Sequence, residues 1–338
     1  MSIKRYWIAG GAGFIGSHFI RYLLKGENDI EVTNFDKLTY AGNLANLNDV
    51  EADPRYRFVR GDICDAAQVR KTLAGADVVV NFAAETHVDR SLEQPGSFIQ
   101  TDVYGVFVLL EAAREFGVKR FIQISTDEVY GSIESGSFRE EDPLKPSNPY
   151  SASKAGGEQL AYSYFASYRT PVLITRGSNT FGPNQYPEKF IPLFATNAID
   201  GVEVPLYGDG LNVRDWLHVE DHCEAIATVL QKGSVGEVYN IGGLNERTNI
   251  EVARAILEVL KAPQSLIRHV RDRIGHDRRY SLNCAKLRSL GFKPGRPFDE
   301  ALRSTVVWFR DNEPWWRAIK ENDEFKRYYS RQYSAGSR

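Results

Sequence analysis

The run Ser125-Thr126-Asp127-Glu128-Val129-Tyr130-Gly131, followed by Tyr150-Ser151-Ala152-Ser153-Lys154, places a hydroxyl, two adjacent carboxylates, a phenol and an ammonium close together in the chain. On a helix Tyr150 and Lys154 share one face. An ammonium beside a phenol favours phenolate, so the pair is expected to lower a tyrosine pKa that starts at about 10. Such a tyrosine can take the proton of an alcohol. Alcohol oxidation by hydride transfer needs only that one base and leaves Asp127 and Glu128 without a task. A reaction that also removes a proton from one carbon and expels water from the next needs a base and an acid. Adjacent carboxylates resist double ionisation, so one of them tends to keep a proton. Geometry sets a condition. Successive strand residues point to opposite faces, so both carboxylates meet one small molecule only if the chain leaves its strand near Thr126.

Each motif alone is weak. Tyr-x-x-x-Lys arises by chance on helix surfaces, and an acidic residue after a strand commonly caps the next element. The elements around them add weight. Short apolar runs at residues 6–9, 30–35, 56–60, 77–82 and 120–125 alternate with helical patterns, including 14–25, 104–116 and 150–168. That alternation predicts an α/β fold with a Rossmann-like doubly wound parallel sheet. Gly10-Gly11-Ala12-Gly13-Phe14-Ile15-Gly16 joins the first strand to the first helix. Glycines there allow a tight turn, let backbone N–H groups approach a pyrophosphate, and let helix pack on strand. Asp36 ends the second strand, where an acid can accept hydrogen bonds from an adenosine ribose; this favours NAD over NADP, although Lys37 would soften repulsion of a 2′-phosphate. Asp62 and Ile63, after the third strand, are placed to flank the adenine, Asp62 alternatively as a helix cap.

The bulk numbers exclude several classes. The chain has 338 residues, 42% hydrophobic and 25% charged, with a net charge of −2, so it offers no electrostatic case for nucleic acid or an anionic membrane. No apolar run approaches the roughly 20 residues a membrane helix needs. Cys64, Cys223 and Cys284 form no paired framework, and no leader pattern is visible at Met1-Ser2-Ile3, so a reducing, cytoplasmic setting is expected. The helices predicted at 104–116 and 150–168 carry small or apolar residues on more than one face, which suggests a homodimer. Residues 1–176 are read as the dinucleotide domain and 177–320 as mainly a smaller mixed α/β substrate-binding domain, with segments returning to the sheet. Residues 321–338 are read as a charged tail expected to fray. His218 and His222 lie four apart, but at a predicted helix start flanked by Glu220 and Asp221 they are read as structural, and no metal is expected.

Taken together the motifs resemble those of the extended short-chain dehydrogenase/reductases. Within these the chain is similar to the nucleotide-diphosphate-glucose 4,6-dehydratases, the dTDP-glucose 4,6-dehydratase family among them. The likeness runs through Asp36-Lys37-Leu38-Thr39-Tyr40-Ala41-Gly42-Asn43, Ala83-Ala84-Glu85-Thr86-His87-Val88-Asp89-Arg90-Ser91 and the opening run. It continues in Pro187-Glu188-Lys189-Phe190-Ile191-Pro192, Asn212-Val213-Arg214-Asp215-Trp216 and Arg273-Ile274-Gly275-His276-Asp277-Arg278-Arg279-Tyr280. The resemblance implies NAD-dependent dehydration of a nucleotide glucose to its 4-dehydro-6-deoxy sugar, a lyase step of deoxysugar (rhamnose-type) biosynthesis. Tyr150 would take the C4 hydroxyl proton, Glu128 the C5 proton, and Asp127 would protonate the leaving C6 hydroxyl. Thr126 would hold the C4 oxygen and Lys154 the nicotinamide ribose. It further implies that Thr39, Ala83, Ala84 and Thr101 join Gly10, Gly13, Phe14, Ile15, Gly16, Asp36, Lys37, Asp62 and Ile63 around the cofactor. Thr86, His87, Asn179, Lys189, Phe190, Pro205, Tyr207, Arg214, Asn249, Asp272, Arg273 and His276 would line the substrate. Arg214 could instead form an internal salt bridge.

Departures from that pattern include Thr180-Phe181 after Asn179, Asp102 after Thr101, Ile274, Ala9 and Thr86. A UDP-sugar 4-epimerase or decarboxylase of the same fold would share the glycine turn, Thr126, Tyr150 and Lys154 but would not use Asp127 and Glu128. A noncatalytic nucleotide-binding protein would not need the Tyr-Lys pair.

Overall fold

A computed structural model describes residues 4–272 and 276–333. Arg273 therefore lies outside the described residues. The strands are β1 (Lys4–Ala9), β2 (Ile30–Asp36), β3 (Tyr56–Arg60), β4 (Val78–Asn81), β5 (Arg120–Thr126), β6 (Val172–Gly177), β7 (Asn179–Phe181), β8 (Val204–Tyr207), β9 (Val213–His218), β10 (Val238–Ile241), β11 (Glu246–Thr248) and β12 (Ile267–Val270). Seven of them form one sheet in the order β10-β6-β5-β4-β1-β2-β3, and every neighbouring pair is parallel. The order reverses between β1 and β4, which opens a crevice at the carboxyl ends of the strands.

The pleat explains why these strands read as unbroken apolar runs. Tyr6 and Ile8 of β1, Val78 and Val80 of β4, and Ile122 of β5 face one core, with Phe19, Leu23, Ile226 and Val229 from the helices Phe14–Gly26 and Val219–Lys232. Trp7, Ala9, Val79 and Phe121 face the opposite core, with Leu109, Leu110, Ala161 and Tyr164 from the helices Val106–Glu115 and Pro149–Tyr168. A sheet covered on both faces has no polar side to alternate with.

The helix Pro149–Tyr168 carries the Tyr-Lys pair and is set firmly at both ends. Asn148 and Ser151 form a capping box, proline occupies the first turn, and Arg169 ends the helix at φ +60°. Its neighbour starts differently from expectation. Residues Gln100–Gly105 form a π-helical turn ahead of Val106–Glu115. Gly157 lets the two elements close: a Cβ there would meet the Asp102 carbonyl oxygen.

A third core gathers Phe194, Trp216, Ile256, Phe309 and Trp316, from the helices Phe190–Ile199, Asn249–Leu260, Phe298–Asp311 and Glu313–Lys320 with β9. Two small sheets accompany it, β11-β9-β7 and β12-β8. The expectation of a frayed tail is corrected for the described residues of that segment. Asp323–Tyr333 is a helix with Phe325 and Tyr328 buried. Phe325, Tyr328, Tyr329 and Tyr333 recur at helical spacing, and that stripe holds an otherwise charged segment on the core.

Candidate active site

β5 ends at Thr126, and Asp127–Tyr130 is a single 3-10 turn. The geometric condition set by the sequence is thus met. Thr126 is the pivot: extended at φ −138° and ψ 155°, it accepts a hydrogen bond on its hydroxyl from the Glu128 N–H. That hydroxyl also donates to Asp127 Oδ1 at 3.2 Å. Asp127 is 3% exposed, and its Oδ2 has no hydrogen-bond partner. Burial pushes the Asp127 carboxyl well above its usual range, Glu128 adds to the shift, and Arg214 opposes it. The outcome is a buried carboxyl that holds a proton more tightly than usual, beside a second carboxyl group.

Tyr150, Lys154, Thr126, Asp127 and Glu128 line one cleft. The expectation of a lowered phenol needs correction for the protein by itself. Burial raises Tyr150 well above its usual value, with Glu128 and Asp102 reinforcing, while the Thr126 hydroxyl pulls the other way. Lys154 donates to the Ile124 carbonyl at 2.7 Å. Burial lowers its own pKa, and Asp102 and Glu158 oppose that. Two negative neighbours and poor solvation outweigh one ammonium that is engaged with a backbone oxygen.

The same cleft is lined by Gly10, Gly13, Phe14, Ile15, Gly16, Asp36, Lys37, Thr39, Asp62, Ile63, Ala83, Ala84 and Thr101. Its floor fits a dinucleotide. Gly10 has φ +73°, and a Cβ there would lie 2.5 Å from the Ala83 nitrogen; one on Gly16 would lie 2.4 Å from the Gly10 oxygen. The turn is therefore closed to side chains and presents bare backbone to the crevice. Asp36 accepts from the Ala12 and Leu38 N–H groups at 2.9 and 2.8 Å, which fixes the carboxylate at the rim with lone pairs to spare. Lys37 is paired with Asp62 at 2.7 Å, so its charge is already matched.

The residues implied for the substrate divide. Thr86, Asn179 and Lys189 line the cleft. The Lys189 ammonium donates to the Thr86 hydroxyl at 3.0 Å, and Asn179 Oδ1 is buried without a partner. Arg214 is buried, donates to the Val213 and Asp277 carbonyls and stacks 4.4 Å from the Tyr280 ring. Asp215 meets the Asn245 N–H instead of pairing with it. His87, Tyr207, Asp272 and His276 are not among the residues lining the cleft, and the C-terminal helix reaches the first two: Tyr328 Oη lies 3.3 Å from His87 Nδ1, and Gln332 donates to Tyr207 Oη at 2.6 Å. Asp272 and His276 are 2.6 Å apart. Phe190 stacks on Phe194 in the third core, Pro205 pairs with Arg268 across β8 and β12, and Asn249 opens its helix; none of these three lines the cleft.

Reading the sequence missed several cleft residues: Glu85, Ser178, Gln185, Tyr186 and His222. His222 touches Thr180 at 2.8 Å and burial lowers its pKa to about 4. His218 accepts from the Glu220 N–H. Glu188, beside Lys189, is bound by Arg90 at 3.0 Å, whose guanidinium lies 3.7 Å from the Tyr40 ring. The motif Pro-Glu-Lys carried that signal, but its partner is a hundred residues away in sequence.

Comparison with known proteins agrees with this geometry. A family model described as GDP-mannose 4,6 dehydratase matches residues 7–305. A dTDP-glucose 4,6-dehydratase of Streptomyces niveus is 52% identical over 95% of this chain and 97% of its own. The low-salt glycan biosynthesis protein Agl12 of Haloferax volcanii is 50% identical over 89% of this chain and 97% of its own. Among solved structures, the dTDP-glucose 4,6-dehydratase DesIV of Streptomyces venezuelae, with NAD bound, superposes with a TM-score of 0.92 at 52% identity, covering 94% of this chain and 100% of that one. A UDP-glucose 4-epimerase of Thermus thermophilus in complex with NAD gives 0.84 at 32% identity, covering 91% and 99%. By sequence, fold and the residues of its cleft, the chain belongs to the GDP-mannose 4,6-dehydratase family of Rossmann-fold enzymes and stands among relatives that are dTDP-glucose 4,6-dehydratases.

Proposed function

We propose that the protein is an NAD-dependent dTDP-glucose 4,6-dehydratase. One observation carries the choice over an epimerase: Asp127 and Glu128 leave β5 on a single 3-10 turn and line the cleft that holds Tyr150 and the glycine turn. Bound NAD supplies a hydride acceptor, later a hydride donor, and in its oxidised form a positive charge that favours phenolate. Gly10 to Gly16, Asp36 and Lys154 would hold it.

Tyr150 takes the proton of the C4 hydroxyl, and Thr126 orients that oxygen. Oxidation at C4 acidifies the neighbouring C5–H, which Glu128 removes. Asp127, whose proton affinity is raised by burial, gives a proton to the C6 oxygen as water departs. Lys189 and Asn179, which line the cleft, and Arg214, whose charge acts on Asp127, would supply cation and amide donors to the sugar nucleotide. The elements after Gly177 then act mainly as the substrate half. A homodimer fits the exposed Tyr104, Phe107, Tyr162 and Tyr168 on the helical face outside the sheet, and a cytoplasmic setting fits the free thiols.

The test is direct. Purified protein is given dTDP-glucose, and in parallel UDP-glucose, with no added reductant. A 4-keto product that has lost water from dTDP-glucose supports the reading. A C4 epimer alone, or unchanged sugar with NAD bound, overturns it.

A further inference from the structure

Asp102 is a buried carboxylate that the mechanism above leaves without a task. It is 2% exposed, in the π-helical turn Gln100–Gly105. Its Oδ1 accepts from the Glu85 N–H at 2.9 Å, and Glu85 lines the cleft. Its Oδ2 accepts from the Ser153 hydroxyl at 2.7 Å, which also lies 2.8 Å from the Tyr150 carbonyl oxygen. Gly157 brings the helix of Tyr150 and Lys154 against the same turn. One carboxylate therefore ties the Tyr-Lys helix and the cleft wall to a π turn, a distortion that often marks functional positions.

We propose that Asp102 is a positioning residue for C4 oxidation, whose negative charge balances Lys154 and sets the pH at which Tyr150 becomes a base. This rests on the functional reading above. The charged groups around it are few. Lys154 faces it from the helix Pro149–Tyr168, where Tyr150 also feels it and Glu158 acts on Lys154; Glu85 faces it from the wall after β4. Asp127 and Glu128 act on Tyr150 from the turn after β5. Burial raises Asp102 to about 6, while Lys154, Ser153 and the Glu85 N–H hold it down, so it is ionised at neutral pH and loses its charge in mild acid. Ionised, it raises the Tyr150 pKa and opposes the burial that lowers that of Lys154. Removing that charge adds one positive unit near Tyr150. With the Lys154 ammonium retained, the phenol becomes easier to ionise.

Asp102→Asn is nearly isosteric and keeps an acceptor. Single-turnover reduction of bound NAD⁺ by dTDP-glucose, followed across pH, should show its rising limb moved to lower pH by roughly half to one unit, the size of shift that one nearby charge produces. Ser153→Ala, which loosens the carboxylate and removes one group that holds its proton affinity down but leaves a group that can ionise, should move the limb less than Asp102→Asn does. Urea unfolding, which needs no substrate, is the second readout. The wild-type carboxyl is raised above its unfolded value of 3.8, so the wild type should lose stability relative to Asp102→Asn as pH rises from about 4 to about 7. A rate loss equal at every pH, or a limb that moves equally in Ser153→Ala, overturns the assignment. If the wild type reduces no NAD⁺, the functional reading fails and unfolding decides alone: a stability difference independent of pH overturns the role of the charge.

Discussion

Replacing Asp127 by asparagine should separate oxidation from elimination. The side chain is 3% exposed, with Oδ1 3.2 Å from the Thr126 hydroxyl and Oδ2 unpartnered. An amide of the same shape keeps the Thr126 contact through its oxygen. If that contact were lost altogether, the cost would be about 1 kcal/mol, or roughly fivefold in a rate. Loss of a general acid costs roughly 10²- to 10⁴-fold, about 3–5 kcal/mol. Structural disturbance is thus too small to imitate the chemical effect. Asp127→Asn should reduce bound NAD⁺ with dTDP-glucose within about fivefold of the wild-type rate. Elimination should slow by at least roughly 10²-fold, so that a 4-ketoglucose retaining its C6 hydroxyl accumulates. Stopped-flow absorbance follows the first step and mass analysis of quenched sugar the second. The stability sign is opposite to that of an ordinary core lesion. The folded carboxyl is raised above its unfolded value of 3.8; its contribution is fullest below that value and declines as pH rises toward the folded pKa. The variant should therefore be no less stable than wild type at neutral pH. Parallel loss of both steps in a folded variant, or elimination within tenfold of wild type, would refute the assignment of the acid.

Glu128→Gln should likewise retain NAD⁺ reduction and slow elimination by at least roughly 10²-fold, but deuterium at C5 should remain in the recovered sugar. Gly10→Ala places a methyl 2.5 Å from the Ala83 nitrogen at φ +73°, so protein purified from cells should lack bound NAD and melt earlier by more than about 1 kcal/mol of stability. His222 is 2% exposed and its pKa is lowered from 6.5 to about 4; the stability this group supplies is full above pH 6.5 and lost as pH falls toward 4. That is about 3 kcal/mol, and urea titrations at both pH values should show this part of the acid sensitivity missing in His222→Asn. Arg176 grips the buried Glu158 through Nε and Nη2 at 2.6–3.2 Å and the Tyr130 hydroxyl at 2.6 Å. Arg176→Met should cost about 3–5 kcal/mol, and pairing it with Glu158→Leu should recover most of that, because the loss comes from stranding a buried charge.

The strands and helices that build the nucleotide crevice were legible because each is a local pattern: Val78-Val79-Val80, β-branched throughout and short, reads as a doubly covered strand. The catalytic turn was legible as a requirement, since Asp127 and Glu128 made sense only if β5 stopped at Thr126. The substrate side was harder to read. Pro183, Pro187 and Pro192 mask a helix that starts at Phe190 and tolerates proline in its first turn. Arg214 takes its acceptor from Asp277, and Arg90 its carboxylate from Glu188; neither pairing leaves a mark on nearby sequence. The sign of the Tyr150 shift was missed for the same reason. A Tyr-Lys spacing shows the ammonium but not the burial, nor Glu128 and Asp102, which arrive from other elements.

The helix Asp323–Tyr333 follows every strand in the chain, yet its side chains reach Arg90 through Glu324, Glu93 through Arg331, Asn197 through Tyr329 and Tyr207 through Gln332. Chains are synthesised from the amino end, and their early segments can begin to fold before the later ones emerge. The glycine turn and the six parallel strands β1 to β6 can close while this helix is still unmade. Assembly thus has an order: the growing polypeptide can acquire a dinucleotide crevice first, and the outer wall beside His87 and Tyr207 is completed only when the last turns are released.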